Sequence, residues 1–283
     1  MAKIINGLSD IADRDDYFIL DLFGVIHNGV ELFPGTRNCL EQLNAAGKQI
    51  CLLSNTPRRA PGTIAQTEAL GLPGSLFHHV VTSGEMTYNH LAQMEPGVKC
   101  WFIGTDIMAE VLEGHDLVVL DGPEGADFVL NSVPGIHKMG DAVFIESLKI
   151  AAAAGLPMIC ANPDLVVNIG DQQYQCAGTF AKMYEEMGGE VTYHGKPHAP
   201  VYEQCYAFFG QPDKSRICAV GDSFHTDVTG ANGFGVDVIW NIEGVHEEEV
   251  ICDLSGGISD DLIENVIEFQ STTPNYVMKD FQW

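Results

Sequence analysis

Four short polar clusters in this 283-residue chain each follow an apolar run. Asp21 closes the first, in YFILDLFGVIHNG. Ser54-Asn55-Thr56 closes the second, in QICLLSNT. Tyr193-His194-Gly195-Lys196-Pro197 closes a third. Gly221-Asp222-Ser223 closes a fourth, RICAVGDS, and Asp227 lies further along the same segment. Separated acids, a hydroxyl and a lysine suit phosphoryl transfer. An aspartate can serve as the nucleophile and carry the phosphoryl group. Paired carboxylates hold Mg2+ together with waters and phosphate oxygens. A lysine and a hydroxyl neutralise and orient the transferring group. Singly, each cluster has an ordinary structural use. Asp222 or Ser223 can cap a helix, Gly195-Lys196-Pro197 can be a turn, and Ser54 to Pro57 can start a helix. What sets them apart is their order, each after an apolar strand.

Those clusters need a sheet that gathers strand ends. Short apolar runs alternate with helical stretches, which predicts an α/β fold with a mainly parallel sheet. Such sheets bind ligands at the carboxyl ends of their strands. YFIL is apolar throughout, so its strand is expected to be buried on both faces. TRNCLEQLNAAGK reads as a helix with Cys39, Leu40, Leu43 and Ala46 on one face and Gly47 at its end. Ser83 is the expected N-cap of a helix over EMTYNHLAQM. A second series of strands follows in KCWFIG, DLVVL, DFVLNSV and PMICA, with helices over DAVFIESLKIAAAAG and GTFAKMYEEMG. The tail from Ile242 carries few signals.

Composition narrows the partners. With 14 basic against 39 acidic residues the formal net charge is −25. Such a surface repels phosphate backbones and anionic lipid heads, which excludes nucleic acid and polybasic membrane docking. No run of about 18 apolar residues marks a membrane span. The N-terminus lacks the basic and apolar regions of a signal peptide. The eight cysteines are scattered and form no CxxC, as expected of buried free thiols in a cytoplasmic protein. The acidic runs DRDD (13–16) and HEEE (246–249) read as solvated faces. Trp101, Phe102 and Trp240 read as core.

The four ordered clusters resemble the haloacid dehalogenase superfamily of aspartate-nucleophile phosphatases. Motif one resembles DLFGVIHNG (Asp21 to Gly29), motif two LLSNTP (Leu52 to Pro57), motif three GKPHAPVY (Gly195 to Tyr202) and motif four GDSFHTDVTGA (Gly221 to Ala231). The long spacing between motifs two and three, with Asn162-Pro163-Asp164 inside it, is similar to the class IIA, NagD-like branch of sugar phosphatases. The resemblance spans essentially the whole chain. It implies a Rossmann-like core over 1–84 and 188–283 with an α/β cap inserted over 85–187. Asp21 would be the nucleophile and a Mg2+ ligand, joined by the Phe23 backbone carbonyl and Asp222. Asp227 would support the metal from behind or steady Lys196. Lys196 would neutralise Asp21 and phosphate. Ser54 and Asn55 would bind the phosphate, and Asp164 would face the substrate from the cap. The implied activity is hydrolysis of a small phosphate monoester, a sugar phosphate or related metabolite, through an aspartyl-phosphate. Pairing of caps in this branch makes a homodimer the expected assembly.

One position departs from the pattern. Active phosphatase branches carry DxD in motif one, and the second acid protonates the leaving oxygen and then activates water. Here that position is Phe23. Loss of a general acid/base costs about 10²–10⁴-fold in rate. His27, His198 and His225 are candidate substitutes, with His27 foremost because it shares the loop of Asp21. The alternative is a slow or inactive phosphometabolite-binding, regulatory protein. A phosphonatase would need a Schiff-base lysine from Lys99, Lys138, Lys149 or Lys182, and a dehalogenase would not need Asp222 and Asp227. No P-loop is present, and the glycines of GANGFG follow a helix instead of opening one.

Overall fold

The computed structural model describes residues 2–132, 142–169, 172–244, 250 and 259–283. Lys138, Cys252 and the HEEE run at 246–249 lie outside the described residues. In chain order the first strands are β1 (Lys3–Ile5), β2 (Tyr17–Leu20), β3 (Gln49–Ser54), β4 (His79–Thr82), β5 (Val98–Ile103), β6 (Leu117–Leu120) and β7 (Phe128–Asn131). They are followed by β8 (Met158–Cys160), β9 (Val166–Ile169), β10 (Gln172–Gln175), β11 (Val191–Tyr193), β12 (Ile217–Gly221), β13 (Asp237–Asn241) and β14 (Tyr276–Met278). The helices are α1 (Thr36–Ala45), α2 (Ala60–Ala69), α3 (Ser83–Leu91), α4 (Ala142–Ala153), α5 (Ala177–Glu186), α6 (Ala199–Phe208), α7 (Thr229–Phe234) and α8 (Asp260–Glu268).

Packing divides the chain into two compact units. The first comprises Met1–Ser54, Ile64–Val81 and Tyr202–Trp283. Its seven-stranded sheet runs β1-β14-β13-β12-β2-β3-β4, and the described registers from β1 through β3 are all parallel. The three strands that lead to Asp21, Ser54 and Asp222 are therefore neighbours. Phe18, Ile19 and Leu20 of β2, Ile50 to Leu53 of β3, and all of β12 are buried. Central strands of a parallel sheet are covered on both faces, which is why their sequences do not alternate. The α1 face of Cys39, Leu40 and Leu43 packs into this core. Gly47 takes φ +71, as its place after the helix requires.

The second unit comprises Asn55–Thr63 and Thr82–Val201. Its five-stranded sheet runs β11-β8-β7-β5-β6, parallel throughout. The antiparallel hairpin β9–β10 stands apart from that sheet. Trp101 and Phe144, with Phe180 and Tyr184 of α5, form its core. The architecture is an α/β, Rossmann-like parallel-sheet core carrying an inserted α/β cap.

Two local expectations are corrected. The N-cap of α3 is Thr82, not Ser83. Thr82 is extended (φ −127) and its Oγ1 accepts from the Glu85 N–H at 2.9 Å, whereas Ser83 is already helical. The DRDD run is not a solvated face. Asp15 is fully buried under Arg14, which reaches it at 2.7 Å. Burial pushes the Asp15 carboxyl above its ordinary range while Arg14 opposes that rise. Asp16 pairs with Lys48 and Arg216. The seven cysteines among the described residues are all free and buried, and Trp101 and Trp240 are core residues as expected.

Candidate active site

The first unit gathers three acids. Asp21 directly follows β2, Asp222 directly follows β12, and Asp227 lies in the wide turn Phe224–Val228. All three are buried, and one carboxylate oxygen from each lies within 4.8 Å of the others. Small residues make that convergence possible. A Cβ on Gly24 or on Gly244 would overlap the Asp222 carboxylate, and a Cβ on Gly221 would overlap that of Asp227. Gly24 (φ +82) and Gly244 (φ +145) also occupy backbone conformations that side chains disfavour. The Leu22 N–H donates to Asp21 Oδ1 at 2.7 Å, fixing that carboxylate. Asp227 Oδ2 accepts from the Ser223 N–H at 3.3 Å and the Thr226 hydroxyl at 3.4 Å. Trp240 Nε1 donates to the Asp222 carbonyl at 3.1 Å, anchoring the backbone there.

Three buried carboxylates in one place repel one another unless a cation shares the site. Hard oxygen donors in this number suit Mg2+ in preference to softer metals. The donor set thus fits the ion that the motifs imply. Ser54, the last residue of β3, is also buried in this unit.

In the second unit Asn55, Asp164 and Lys196 come together. Lys196 is 2% exposed. Its backbone N–H donates to Asn55 Oδ1 at 2.7 Å, and its carbonyl accepts from Asn55 Nδ2 at 3.0 Å. Asn55 Nδ2 also donates to Asp164 Oδ1 at 2.8 Å, and the Ser83 hydroxyl donates to Asn55 Oδ1 at 3.4 Å. Two donations and two acceptances fill the carboxamide. The Asn55 side chain therefore orders the loop, and any phosphate contact at this residue falls to its backbone N–H. Ser83 had no signal as a site residue beyond its place after an apolar strand.

Phe23 and His27 pack edge to face with ring centroids 4.6 Å apart. His27 is buried, and its Nδ1 accepts from the Gly29 N–H at 3.0 Å. Burial pushes its pKa down to about 4. At neutral pH the ring is uncharged, so it is a weak base and no acid. His27 holds the loop after β2. His225 and His198 are exposed, and His198 stacks on Tyr193. Lys99, Lys149 and Lys182 are exposed too, and Lys149 pairs with Glu146. That setting does not create a desolvated amine.

Asn241 escaped notice in the sequence. Its Nδ2 donates to the carbonyls of Gly24 at 2.9 Å and Glu243 at 3.0 Å, tying together the two loops that flank Asp222. It ends an apolar strand, DVIWN, which is the signal that picked out Asp21.

Comparison with known proteins identifies the family. A model of haloacid dehalogenase-like hydrolases matches residues 18–118, and a second, HAD-hydrolase-like model matches residues 193–281. A haloacid dehalogenase-like hydrolase from Brucella suis superposes with a TM-score of 0.81 at 32% identity, covering 97% of this chain and 98% of that one. The chain belongs to the haloacid dehalogenase-like hydrolases. The chain is also similar to the acid sugar phosphatase of Staphylococcus aureus, 24% identical over 234 residues, 81% of this chain and 86% of that protein. A glycerol phosphate phosphatase from Mycobacterium tuberculosis, solved with magnesium, shares the fold at 21% identity and a TM-score of 0.70, covering 95% of this chain and 77% of that one. The class IIA, NagD-like resemblance drawn from the four motifs stands. No helix among the described residues is long and apolar enough to cross a membrane.

Proposed function

We propose that this hydrolase is a Mg2+-dependent phosphatase acting on a small phosphate monoester, a sugar phosphate or related metabolite. The observation that carries the reading is the convergence of buried Asp21 and Asp222, at strand ends, with Asp227 of the following turn in a haloacid dehalogenase core. Asp21 attacks phosphorus in line with the ester oxygen. A new bond forms between its carboxylate and phosphorus as the bond to the leaving oxygen breaks. Water then attacks the phosphorylated Asp21, releasing phosphate and restoring the carboxylate. Mg2+, held by Asp21, Asp222 and the Phe23 carbonyl with Asp227 behind them, would supply charge neutralisation of the phosphate. Ser54 and the Asn55 N–H take phosphate oxygens, and Lys196 offsets the charge of Asp21 and substrate. The inserted segment 85–187, a cap bearing Asp164, selects the leaving group in a cytoplasmic enzyme. Phe23 provides no proton, so the leaving oxygen draws its proton from water, and good leaving groups are favoured.

The name of the Staphylococcus aureus relative supports turnover over a purely binding role. The bulk charge of −25 opposes polyanions, while a small ester meets one crevice where Mg2+ and lysine reverse the local sign. A panel of phosphometabolites with Mg2+, read for phosphate release, tests the reading. Activity should vanish on chelation and in Asp21→Asn. Metal-independent release would overturn the metal role, and a thermal shift without release would favour the binder.

A further inference from the structure

The hydrogen bonds around Asn55 point to a role for Asp164 besides facing substrate. A carboxamide is nearly symmetric in shape, so something must decide which end is oxygen. Asp164 shares in deciding it here, beside the Lys196 backbone. Its carboxylate only accepts, which commits Asn55 Nδ2 to the Asp164 side. That leaves Oδ1 toward the Lys196 N–H and the second Nδ2 proton toward the Lys196 carbonyl. A reversed carboxamide would set oxygen against both the carboxylate and the Lys196 carbonyl, and NH2 against an N–H.

The rest of the cluster is built around that contact. A Cβ on Gly195 would overlap the Ser83 hydroxyl, and Asn55 Oδ1 and Pro163 Cδ would stand only 2.5 and 2.7 Å from it. The segment after Asn55 is pinned in turn. The Gly84 N–H donates to the Thr56 carbonyl at 3.1 Å, and the Thr82 hydroxyl donates to the Arg58 carbonyl at 2.8 Å. The Asp164 N–H donates to Asn162 Oδ1 at 3.0 Å, holding the Asn162–Asp164 turn.

We propose that Asp164 is a positioning residue for Lys196, acting through the Asn55 carboxamide. The inference rests on Lys196 having the role proposed above. It makes the Asn162–Asp164 loop part of what aligns the lysine, so that loss of the Asp164 acceptor loosens Lys196 for every substrate alike.

The test pairs hydrogen exchange at the Lys196 amide with kinetics on an aryl phosphate and a sugar phosphate. Asp164→Ala should speed that exchange about tenfold and lower kcat about tenfold on both substrates. Asp164→Asn keeps an acceptor oxygen and should restore both. In an Asn55→Ala background, Asp164→Ala should add nothing to the exchange rate. Should the alanine variant fold poorly, Asp164→Ser supplies the same comparison with a side chain too short to reach. Unchanged exchange, a kcat loss confined to one substrate, or full additivity of the exchange effect with Asn55→Ala would overturn the proposal. Lys196→Met separates the two readings. Full activity in that variant refutes the role of the lysine, while the exchange result still decides the Asp164–Asn55 linkage.

Discussion

Gly24 stands so close to Asp222 that a Cβ on the glycine would overlap the Asp222 carboxylate. Gly244 approaches the same carboxylate just as closely. Asp222 is thus set between two backbone segments from opposite ends of the chain. Its direction is fixed by the absence of side chains as much as by any hydrogen bond.

Gly24→Ala should therefore disturb the metal site more than the fold. At φ +82 an alanine costs about 1 kcal/mol, and its methyl group must displace Asp222 as well. Mg2+ affinity, read by calorimetric titration, should fall at least about tenfold. Gly47→Ala is the control. It has a similar φ of +71 and nothing within 4 Å of the new methyl group. That variant should lose about 1 kcal/mol of stability and keep its Mg2+ response. Equal Mg2+ affinities in the two variants would refute the link from Gly24 to the acids.

Phe23→Asp should restore the missing proton donor. In the native chain, aryl phosphates, whose leaving groups need little protonation, should be cleaved much faster than sugar phosphates. The substitution should raise kcat on sugar phosphates by about 10²-fold, at the low end of general acid/base contributions. It should leave aryl phosphates nearly unchanged. Phe23 also packs on His27, so a melting curve should accompany the kinetics. A well-folded variant with an unaltered rate ratio would show that proton transfer does not limit this enzyme.

Asn241→Ala removes two donations, to the Gly24 and Glu243 carbonyls. Those carbonyls flank the glycine side of Asp222. Two lost hydrogen bonds predict about 1–3 kcal/mol of destabilisation in urea unfolding. The loss is moderated because Asn241 Oδ1 is buried without a partner in the native protein. A change below about 0.5 kcal/mol would mean the two loops hold themselves.

The sequence revealed what a strand-end rule can reveal. Asp21, Ser54 and Asp222 each follow a run too apolar to be anything but a central strand, and they stand where that rule puts them. Asn241 obeys the same rule, as the last residue of the apolar strand Asp237–Asn241. The Asn55–Lys196 pairing was invisible, since it joins residues 141 positions apart through a side chain gripping backbone. Strand β14 inserts between β1 and β13, yet β1 and β14 are three residues long and too short to show a period. His27 shows the opposite failing. Its type and place suggested acid–base work, and only its burial reveals that the ring is neutral.

His90 and His194 share a hydrogen bond, Nδ1 to Nε2 at 2.7 Å, in the second unit. Burial pushes both imidazoles toward the neutral form, His194 to about 4, with His90 and His198 adding to the effect on His194. A histidine near 6.5 when unfolded and near 4 when folded binds its proton first in the unfolded chain. Stability is then fully present above about pH 6.5 and is lost as pH falls toward 4. Between pH 6.5 and 5 the cost for His194 is on the order of 2 kcal/mol. His194→Gln still hydrogen-bonds His90 but cannot titrate. Its urea unfolding free energy should fall less over that interval than the native chain's, by about that amount. Parallel pH profiles for the two proteins would show that His194 does not set acid sensitivity.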